Sequence, residues 1–275
     1  MSVVAVGRPV HAVVMAGVVR AGALQGFGDV VHDLGGDPDA LLRRGGLDPE
    51  CIRDPEAMIS LDAVASVLEH AARTLEVSTF GLRQGSAQDL SMLGVLAIVL
   101  ENAPTIGSAV IGVSKYLFVH SPSYDVALEN PSRQLSGCAT IRFDVSLESA
   151  ASQRQLIDGC LASTYRLAQL LSPVPLRLTG VSVPHTPTAR HRCYREHFGA
   201  PVHFEQPYAG LHVDPAVLAV GLRGVEATLH AHALAYIADR YPERGRGFRA
   251  GCAAHSRARS ARRRAPSRRS PDCSA

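Results

Sequence analysis

The sequence contains none of the short motifs that mark the common catalytic and nucleotide-binding sites. It has no G-x-S-x-G turn of a serine hydrolase, no P-loop, no zinc-binding H-E-x-x-H and no C-x-x-C pair. Gly22, Gly26 and Gly28 have the wrong spacing for a dinucleotide-binding turn and do not follow a predicted strand. The sequence therefore predicts no catalytic residue and no cofactor.

Paired cysteines and long apolar runs are also missing. The six cysteines lie far apart, which argues against a disulfide framework and favours a reducing compartment. The longest uninterrupted apolar run, from Met92 to Leu100, is about half of the ~20 residues that a membrane-spanning helix needs. The apolar stretch from Ser2 to Val19 is interrupted by Arg8 and Pro9 and lacks the positive start of a signal peptide. We therefore expect a cytoplasmic protein without a membrane partner.

Charge is distributed unevenly along the 275 residues. The segment from Arg244 to Ala275 holds ten of the 28 basic residues and one of the 25 acidic residues. The first 243 residues are left with 18 basic and 24 acidic residues, a net charge of −6. A nucleic-acid-binding body would usually show an excess of basic residues, so the body of this protein does not have the charge of a DNA-binding domain.

The hydrophobic pattern predicts an α+β fold, with a helical N-terminal part followed by a small, mostly antiparallel sheet with packed helices. Ala16 to Arg44 has helical spacing, Ser60 is a good N-cap for the next helix, and Pro104-Thr105 starts another. Further predicted helices cover residues 90–100, 152–171, 188–198 and 225–236, with one starting at Asp214-Pro215. Alternating segments predict a hairpin of residues 123–128 and 139–147, and shorter strands at 176–183, 202–205 and 210–213.

Three regions follow from this pattern. Residues 1–14 are expected to be a poorly ordered N-terminus, and residues 15–241 one α+β domain. Residues 242–275 have no apolar periodicity and are predicted to be a disordered, arginine-rich tail. The tail could bind phosphates, but it lacks aromatic residues for stacking on bases and has the composition of a GC-rich gene that is read out of frame.

Histidine and cysteine cluster in and just before one predicted helix, at His185, His191, Cys193 and His197. Cys193 and His197 are four residues apart and would share a helix face. His191 and His197 are six apart, which is about 240° around a helix, so they point in different directions. The cluster is interpreted as a surface helix with incidental histidines, and no metal site is predicted.

Several motifs together resemble a known family. The order and spacing of these motifs are similar to those of the arabinose-binding-type N-terminal effector domain of AraC/XylS-type bacterial transcription regulators, in particular their VirS-like branch, over residues 15–241. The matching segments are Gly46-Leu47-Asp48-Pro49, Asp54-Pro55, Ile59-Ser60-Leu61, Phe80-Gly81-Leu82-Arg83, Leu93-Gly94, Ala103-Pro104-Thr105-Ile106, Tyr116 to Pro122 and Tyr194 to Phe204.

The resemblance implies a regulator that binds a small organic effector and controls transcription by a population shift. It also implies two C-terminal helix-turn-helix units, and none is found after Pro242. The sequence is therefore expected to be a truncated or frameshifted regulator without its own DNA-binding domain. DNA would be a partner only of the full-length family. The chain would act by binding effector, or as a homo-oligomer or hetero-oligomer with an intact regulator.

Candidate effector-binding residues follow if a pocket lies between the sheet and the 106–119 helix. Tyr116, His120, Tyr124 and Arg142 are then the polar or amphipathic candidates. Arg142 alternates with Ile141 and Phe143, which favours the solvent face of the strand, whereas a carboxylate-bearing effector would favour a place in the pocket.

Three alternatives remain at this stage. The chain could be a stand-alone small-molecule-binding protein, or it could bind nucleic acid non-specifically through its basic tail. It could also be a serine or cysteine hydrolase, which would need a nucleophile within hydrogen-bond reach of a histidine, such as Cys138 with His120. No motif supports this third alternative.

Overall fold

The computed structural model describes residues 17–147, 153–222 and 224–241. The predictions of a poorly ordered segment at 1–14 and a disordered tail at 242–275 lie outside these residues. The chain divides into two compact units, residues 1–233 and 234–275. Among the described residues, no helix combines the length and the apolar character needed to cross a membrane.

The described residues form the predicted α+β fold. The helices are α1 (Phe27–Asp33), α2 (Pro38–Gly45), α3 (Leu61–Thr74), α4 (Phe80–Ser86), α5 (Val95–Glu101), α6 (Ile106–Tyr116), α7 (Arg154–Leu171), α8 (His191–Phe198) and α9 (Ala227–Arg240). The strands are β1 (Val18–Arg20), β2 (Met58–Ser60), β3 (Tyr124–Glu129), β4 (Ala139–Val145), β5 (Gly180–Ser182), β6 (Val202–His203) and β7 (Ala209–Val213). Short 3₁₀ helices span Ala21–Leu24, Pro49–Arg53, Leu90–Leu93, Leu117–Val119 and Pro215–Ala219.

The main sheet has five strands in the order β3-β4-β7-β5-β6. All neighbours are antiparallel except β5 and β6, which run parallel. β3 and β4 form the predicted hairpin, in which Val126 lies opposite Phe143 and Leu128 opposite Ile141. Because side chains alternate along a strand, Tyr124, Val126, Ile141 and Phe143 share one face of the sheet and Arg142 lies on the other.

Capping residues start the helices at the predicted places. The Ser60 side chain accepts a hydrogen bond from the Ala63 backbone N–H at 3.2 Å, which begins α3. Thr105 begins α6 with a capping box: its hydroxyl accepts from the Ser108 N–H at 3.1 Å, and the Ser108 hydroxyl accepts from the Thr105 N–H at 2.8 Å. Each cap satisfies a backbone donor that the helix itself leaves unpaired.

The prediction of helical structure from Ala16 to Arg44 was wrong at its N-terminal end. Val18–Arg20 is instead strand β1, which pairs antiparallel with β2, and the Arg20 backbone N–H also donates to the carbonyl oxygen of His120 at 2.9 Å. Both partners are distant in sequence, so local periodicity could not reveal them. Two β-branched valines precede Arg20 and suit an extended backbone.

The predicted helix from Leu90 to Leu100 is divided at Gly94. This glycine has φ = 57° and ψ = −127°, which ends the 3₁₀ helix and starts α5 in a new direction. A Cβ atom at this position would collide with the guanidinium group of buried Arg20. Gly94 is therefore required both by its backbone conformation and by the approach of Arg20.

The remaining differences are in the lengths and types of short elements. The strand predicted at 176–183 is limited to β5, and the strand predicted at 202–205 ends at His203. The helix predicted from Asp214-Pro215 is a 3₁₀ helix. Prolines and short hydrogen-bonded ladders define these boundaries, and apolar periodicity alone does not indicate them.

Helices α4 and α7 cross in backbone contact. A Cβ atom on Gly81 would collide with the carbonyl oxygen of Gln155, and one on Gly85 with that of Gly159. The Gln155 side chain strengthens the crossing, because its Oε1 accepts from the Gly81 N–H at 2.7 Å and its Nε2 donates to the Ser78 carbonyl at 2.9 Å. Glycine is thus required in α4 for close packing.

We predict that Gly85→Ala lowers the free energy of unfolding by about 2–3 kcal/mol, because the two helix backbones must separate to admit the methyl group. The matched control is Gly28→Ala in α1, where a Cβ atom meets nothing within 4 Å. Gly28→Ala should raise the stability by about 0.5–1 kcal/mol through helix propensity. Urea denaturation measures both; equal effects of the two substitutions would contradict the close crossing.

Candidate functional site

A cavity of about 130 Å³ lies between α6, α7 and the β3–β4 hairpin. It is lined by residues Ala23, Val64, Leu68, Gln84, Gly85, Gln88, Met92, Leu93, Leu100, Ile106, Ala109, Val110, Val113, Leu117, His120, Tyr124, Val126, Ile141, Phe143, Leu156, Gly159, Cys160, Ser163, Thr164, Leu167, Ala168 and Leu171. Apart from Ala23, these residues come from α3 to α7, the β3–β4 hairpin and the segments between them, so a molecule in the cavity would contact several elements at once.

The cavity exists because α6 and α7 are packed on different partners. α6 packs against α5 and β3, whereas α7 packs against α3, α4 and the sheet. Apart from Ala23, the half-exposed lining residues belong to the facing sides of these two helices: Val110, Val113, Gly159, Cys160, Thr164, Ala168 and Leu171. The cavity therefore opens between α6 and α7.

The cavity wall is largely aliphatic and carries no formal charge. No aspartate, glutamate, lysine or arginine of the described residues lines it. Its polar side chains are two glutamines, one histidine, one tyrosine, one cysteine, one serine and one threonine, all uncharged in the protonation states described below. A wall of this kind binds apolar groups and orients a ligand through a few hydrogen bonds.

His120 is the most unusual polar group of the cavity. It follows the 3₁₀ helix Leu117–Val119 and is 1% exposed, yet neither ring nitrogen has a hydrogen-bond partner among the described residues. Burial, helped by the positive charge of nearby Arg20, lowers the pKa of His120 to about 3. The imidazole is therefore neutral at pH 7 and presents one unused donor and one unused acceptor.

Tyr124 and Cys160 lie beside His120 and close to each other. The ring centroids of Tyr124 and His120 are 6.0 Å apart, and the Tyr124 hydroxyl and the Cys160 thiol influence each other's pKa. Burial raises the pKa of the Tyr124 hydroxyl above its usual value and that of the Cys160 thiol to about 12. Both groups are neutral at pH 7, and Cys160 is protected from the reactions of a thiolate.

Two glutamines of the α4 region complete the polar part of the wall. Gln84 donates through Nε2 to the Gln25 carbonyl at 3.1 Å, and Gln88 donates through Nε2 to the Ala23 carbonyl at 2.6 Å. The buried Oε1 of Gln84 has no partner among the described residues. These amides hold the N-terminal segment against α4 and leave one further acceptor unused.

The four candidate residues divide between two places. His120 and Tyr124 line the cavity, whereas Tyr116 and Arg142 do not. Tyr116 ends α6, with the Lys115 ammonium group 4.7 Å from its ring centroid.

Arg142 lies on the opposite face of β4. Its Nε donates to Asp144 at 2.6 Å, its Nη1 is 3.6 Å from Glu129, and its guanidinium carbon lies 4.4 Å from the Tyr208 ring centroid. Alternation along β4 already favoured this outer position.

The contribution of α7 was missed by the sequence reasoning. The sequence predicts a helix over residues 152–171, and none of its residues was among the candidates for the site, although Leu156, Cys160, Leu167 and Leu171 form one stripe of α7. Ser163 and Thr164 interrupt the same side of the helix with hydroxyl groups, which is the signal that could have indicated a partly polar cavity.

The outer face of the sheet contains a buried polar row that the sequence did not indicate. His212 is 1% exposed; its Nδ1 lies 2.8 Å from the Thr140 hydroxyl and its Nε2 lies 2.7 Å from the Ser182 hydroxyl. These residues occupy neighbouring strands β4, β7 and β5, which brings them together. Because Ser182 is 2% exposed, a substrate cannot approach its hydroxyl in this structure.

The cysteine–histidine pair considered for hydrolysis is not formed. The Cys138 thiol contacts the Thr179 hydroxyl at 3.2 Å, and His120 has no hydrogen-bond partner in the part of the chain that the structure describes.

The histidines around α8 have separate partners. His185 Nε2 lies 3.2 Å from Asp158 Oδ1, and His197 Nε2 lies 3.4 Å from the Ser86 hydroxyl. The fully buried Asp158 also accepts a hydrogen bond from the Tyr194 hydroxyl at 2.6 Å, which joins α7 to α8. Within the described ranges, no three histidine, cysteine or acidic side chains are grouped to hold a metal ion.

The buried, neutral state of His120 predicts a pH dependence of stability. Its folded-state pKa of about 3 is below the unfolded value of 6.5. The unfolded chain therefore binds a proton that the folded chain does not, and the free energy of unfolding falls as the pH drops below 6.5. The slope from this residue approaches about 1.4 kcal/mol per pH unit.

His120→Phe should remove this component of the slope in urea denaturation between about pH 6.5 and pH 4.5. The exposed His32 serves as the control, and His32→Asn should keep the wild-type slope. Burial also lowers the pKa values of His197 and His212. Their contributions to the slope are present in wild type, in His120→Phe and in His32→Asn, so they cancel in the comparison. Identical slopes for wild type and His120→Phe would contradict the neutral state.

Comparisons with known proteins agree with the fold and the sequence motifs. Residues 35–222, well over half of the chain, match the model of the arabinose-binding domain of AraC transcription regulators, N-terminal part. The chain is 29% identical over 202 residues to the HTH-type transcriptional regulator VirS of Mycobacterium tuberculosis, covering 73% of this chain and 58% of VirS. It is 26% identical over 180 residues to the ornithine utilization regulator of Pseudomonas aeruginosa, covering 66% of this chain and 52% of that protein.

One solved structure shares the fold. The transcriptional regulator CdpR of Pseudomonas aeruginosa aligns with a TM-score of 0.51 and 18% sequence identity, covering 71% of this chain and 65% of CdpR. The chain thus spans a little over half the length of the curated relatives it matches. The matched family model shows that the chain belongs to the family of AraC-type transcription regulators and contains their N-terminal arabinose-binding-type domain.

Proposed function

We propose that this chain senses a small organic effector, which binds in the cavity between α6 and α7 and controls transcription. The observation that carries the proposal is His120, a buried and unpaired imidazole in an uncharged apolar cavity. A buried polar group without a partner costs free energy, and a ligand that pairs with it recovers that cost. Membership of the AraC-type family supplies the transcriptional role.

The mechanism follows from the way in which the two helices are held. α7 is fixed to α4 by the glycine crossing, whereas α6 is held by α5, β3 and the 3₁₀ helix Pro215–Ala219. A molecule between them binds one spacing of α6 and α7 better than others. Binding then shifts the population toward that spacing, which is the minimum requirement for an allosteric effect.

The position of α6 connects the cavity to the C-terminal end of the first unit. Thr105, which caps α6, forms an isolated β-bridge with Gly221, and the Ile106 N–H donates to the Val220 carbonyl at 3.0 Å. A movement of α6 therefore changes the path of the chain around residue 221. In the proposed regulator this movement alters how a DNA-binding unit is presented. The pairing of this chain with an intact regulator stays a prediction.

We predict that Val113→Trp abolishes regulation, because Val113 lies at the cavity opening and an indole there blocks the entry of effector. The matched control is Ile111→Trp in the same helix, whose side chain is 57% exposed and does not line the cavity. Each variant replaces the gene in the source bacterium, and transcript levels are compared with wild type and with a deletion strain. With Val113→Trp, transcript levels should stay at the values of a regulator that cannot respond to effector. With Ile111→Trp, they should match wild type.

A deletion strain with unchanged transcript levels would contradict the regulatory role. Normal regulation by Val113→Trp would contradict the role of the cavity. If the chain is a stand-alone small-molecule-binding protein, the deletion strain should have unchanged transcript levels and the purified chain should bind ligand.

A further inference from the structure

We propose that the effector is an uncharged, largely apolar molecule about as large as one substituted ring, with a single hydroxyl or carbonyl group bound by His120. This inference rests on the proposed function and adds the chemical class of the ligand. It excludes sugars and carboxylates, although the family model carries the name of a sugar.

The size follows from the volume of the cavity. Its 130 Å³ are close to the ~150 Å³ of an engineered apolar protein cavity that binds benzene. The opening between α6 and α7 leaves room for a short substituent to extend toward solvent. A single ring or a branched chain of similar volume fills this space.

The proposed absence of charge on the effector follows from the residues of the cavity wall. An ionised carboxylate inside the cavity would have no cationic partner among the lining residues, and burying an unpaired charge is strongly unfavourable. The two nearby arginines are already engaged. Arg20, next to His120, forms an ion pair with Glu56, and Arg142 lies on the other face of the sheet with Glu129 and Asp144.

A sugar is excluded by the same reasoning applied to hydroxyl groups. Arabinose carries a polar group on every carbon, and each would lose hydrogen bonds to water on entering the cavity. The wall offers few free partners in return, because the Nε2 atoms of Gln84 and Gln88 and the hydroxyl of Thr164 are bonded to backbone carbonyls. Most sugar hydroxyls would face aliphatic side chains such as Leu100 and Val113.

One polar group on the ligand is nevertheless favoured by His120. Both of its ring nitrogens are buried and unpaired among the described residues, so an apolar ligand would leave them without partners there. A hydroxyl or carbonyl oxygen can accept from the imidazole N–H, and a hydroxyl can instead donate to the other nitrogen. Because the ring is neutral, it has no preference for an anion.

Isothermal titration calorimetry on the full chain tests the proposal with four probes. These are toluene, 4-methylphenol, benzoate and arabinose. The two methylbenzenes have the same apolar body and differ by one hydroxyl. We expect 4-methylphenol to bind about fivefold more tightly than toluene, which is the effect of about one net hydrogen bond. Benzoate and arabinose should give no binding heat.

Three variants assign the effect to its residue. His120→Phe removes the hydrogen bond and should bind both methylbenzenes equally. His120→Gln keeps a donor and an acceptor and should keep the preference for 4-methylphenol. His32→Asn is the control and should also keep the preference, because His32 is exposed and does not line the cavity.

If His120→Phe still binds 4-methylphenol more tightly than toluene, His120 is not the residue that bonds the ligand hydroxyl. Binding of benzoate or arabinose that Val113→Trp abolishes would overturn the ligand class and leave the cavity as the effector site. Binding of toluene that Val113→Trp leaves intact would overturn the cavity itself. The transcript measurement does not use these probes. A failure of the proposed regulatory function is therefore distinguished from a failure of the proposed ligand class.

Discussion

The close crossing of α4 and α7 is the constraint on which the rest of the domain depends. Gly81 and Gly85 allow two helix backbones to touch, and the Gln155 side chain fixes their register through hydrogen bonds to α4 and to the loop before it. With α7 held there, its outer side cannot also close on α6, which is held by β3 and α5. The cavity is thus a consequence of two incompatible packing arrangements, and interiors without such conflicts leave few voids of this size.

Electrostatics separate the two faces of the β3–β4 hairpin. The charged groups Arg142, Asp144 and Glu129 lie on the outer face, where they pair with one another. The inner face presents apolar side chains and neutral polar groups to the cavity. Because burial keeps His120 uncharged, hydrogen bonding alone orients a ligand there. This arrangement allows discrimination between ligands of the same shape that differ by one polar atom, since an unmatched buried group is costly.

Much of the fold could be predicted from local patterns. Alternation located the hairpin, and Ser60 and Thr105 located the starts of α3 and α6, because caps and alternation act within a few residues. β1 was missed because its partners, β2 and the His120 carbonyl, are remote in sequence. His120 and Tyr124 were named as candidates because they follow the 106–119 helix closely in sequence, and both line the cavity. Alternation indicated the outer position of Arg142. The residues from α4 and α7 could not be assigned, since only the tertiary crossing brings them to the cavity.

The proposed effector site depends on a neutral His120 whose ring nitrogens are available to the polar atom of the ligand. Nitrogen-15 NMR of the histidine rings in the full chain, with and without 4-methylphenol, tests this most directly. We expect a His120 ring that stays neutral between about pH 5 and pH 8 and shows a shift of one ring nitrogen on addition of the ligand. A His120 ring that titrates near the usual histidine pKa, or whose nitrogens do not respond to the bound ligand, would contradict it.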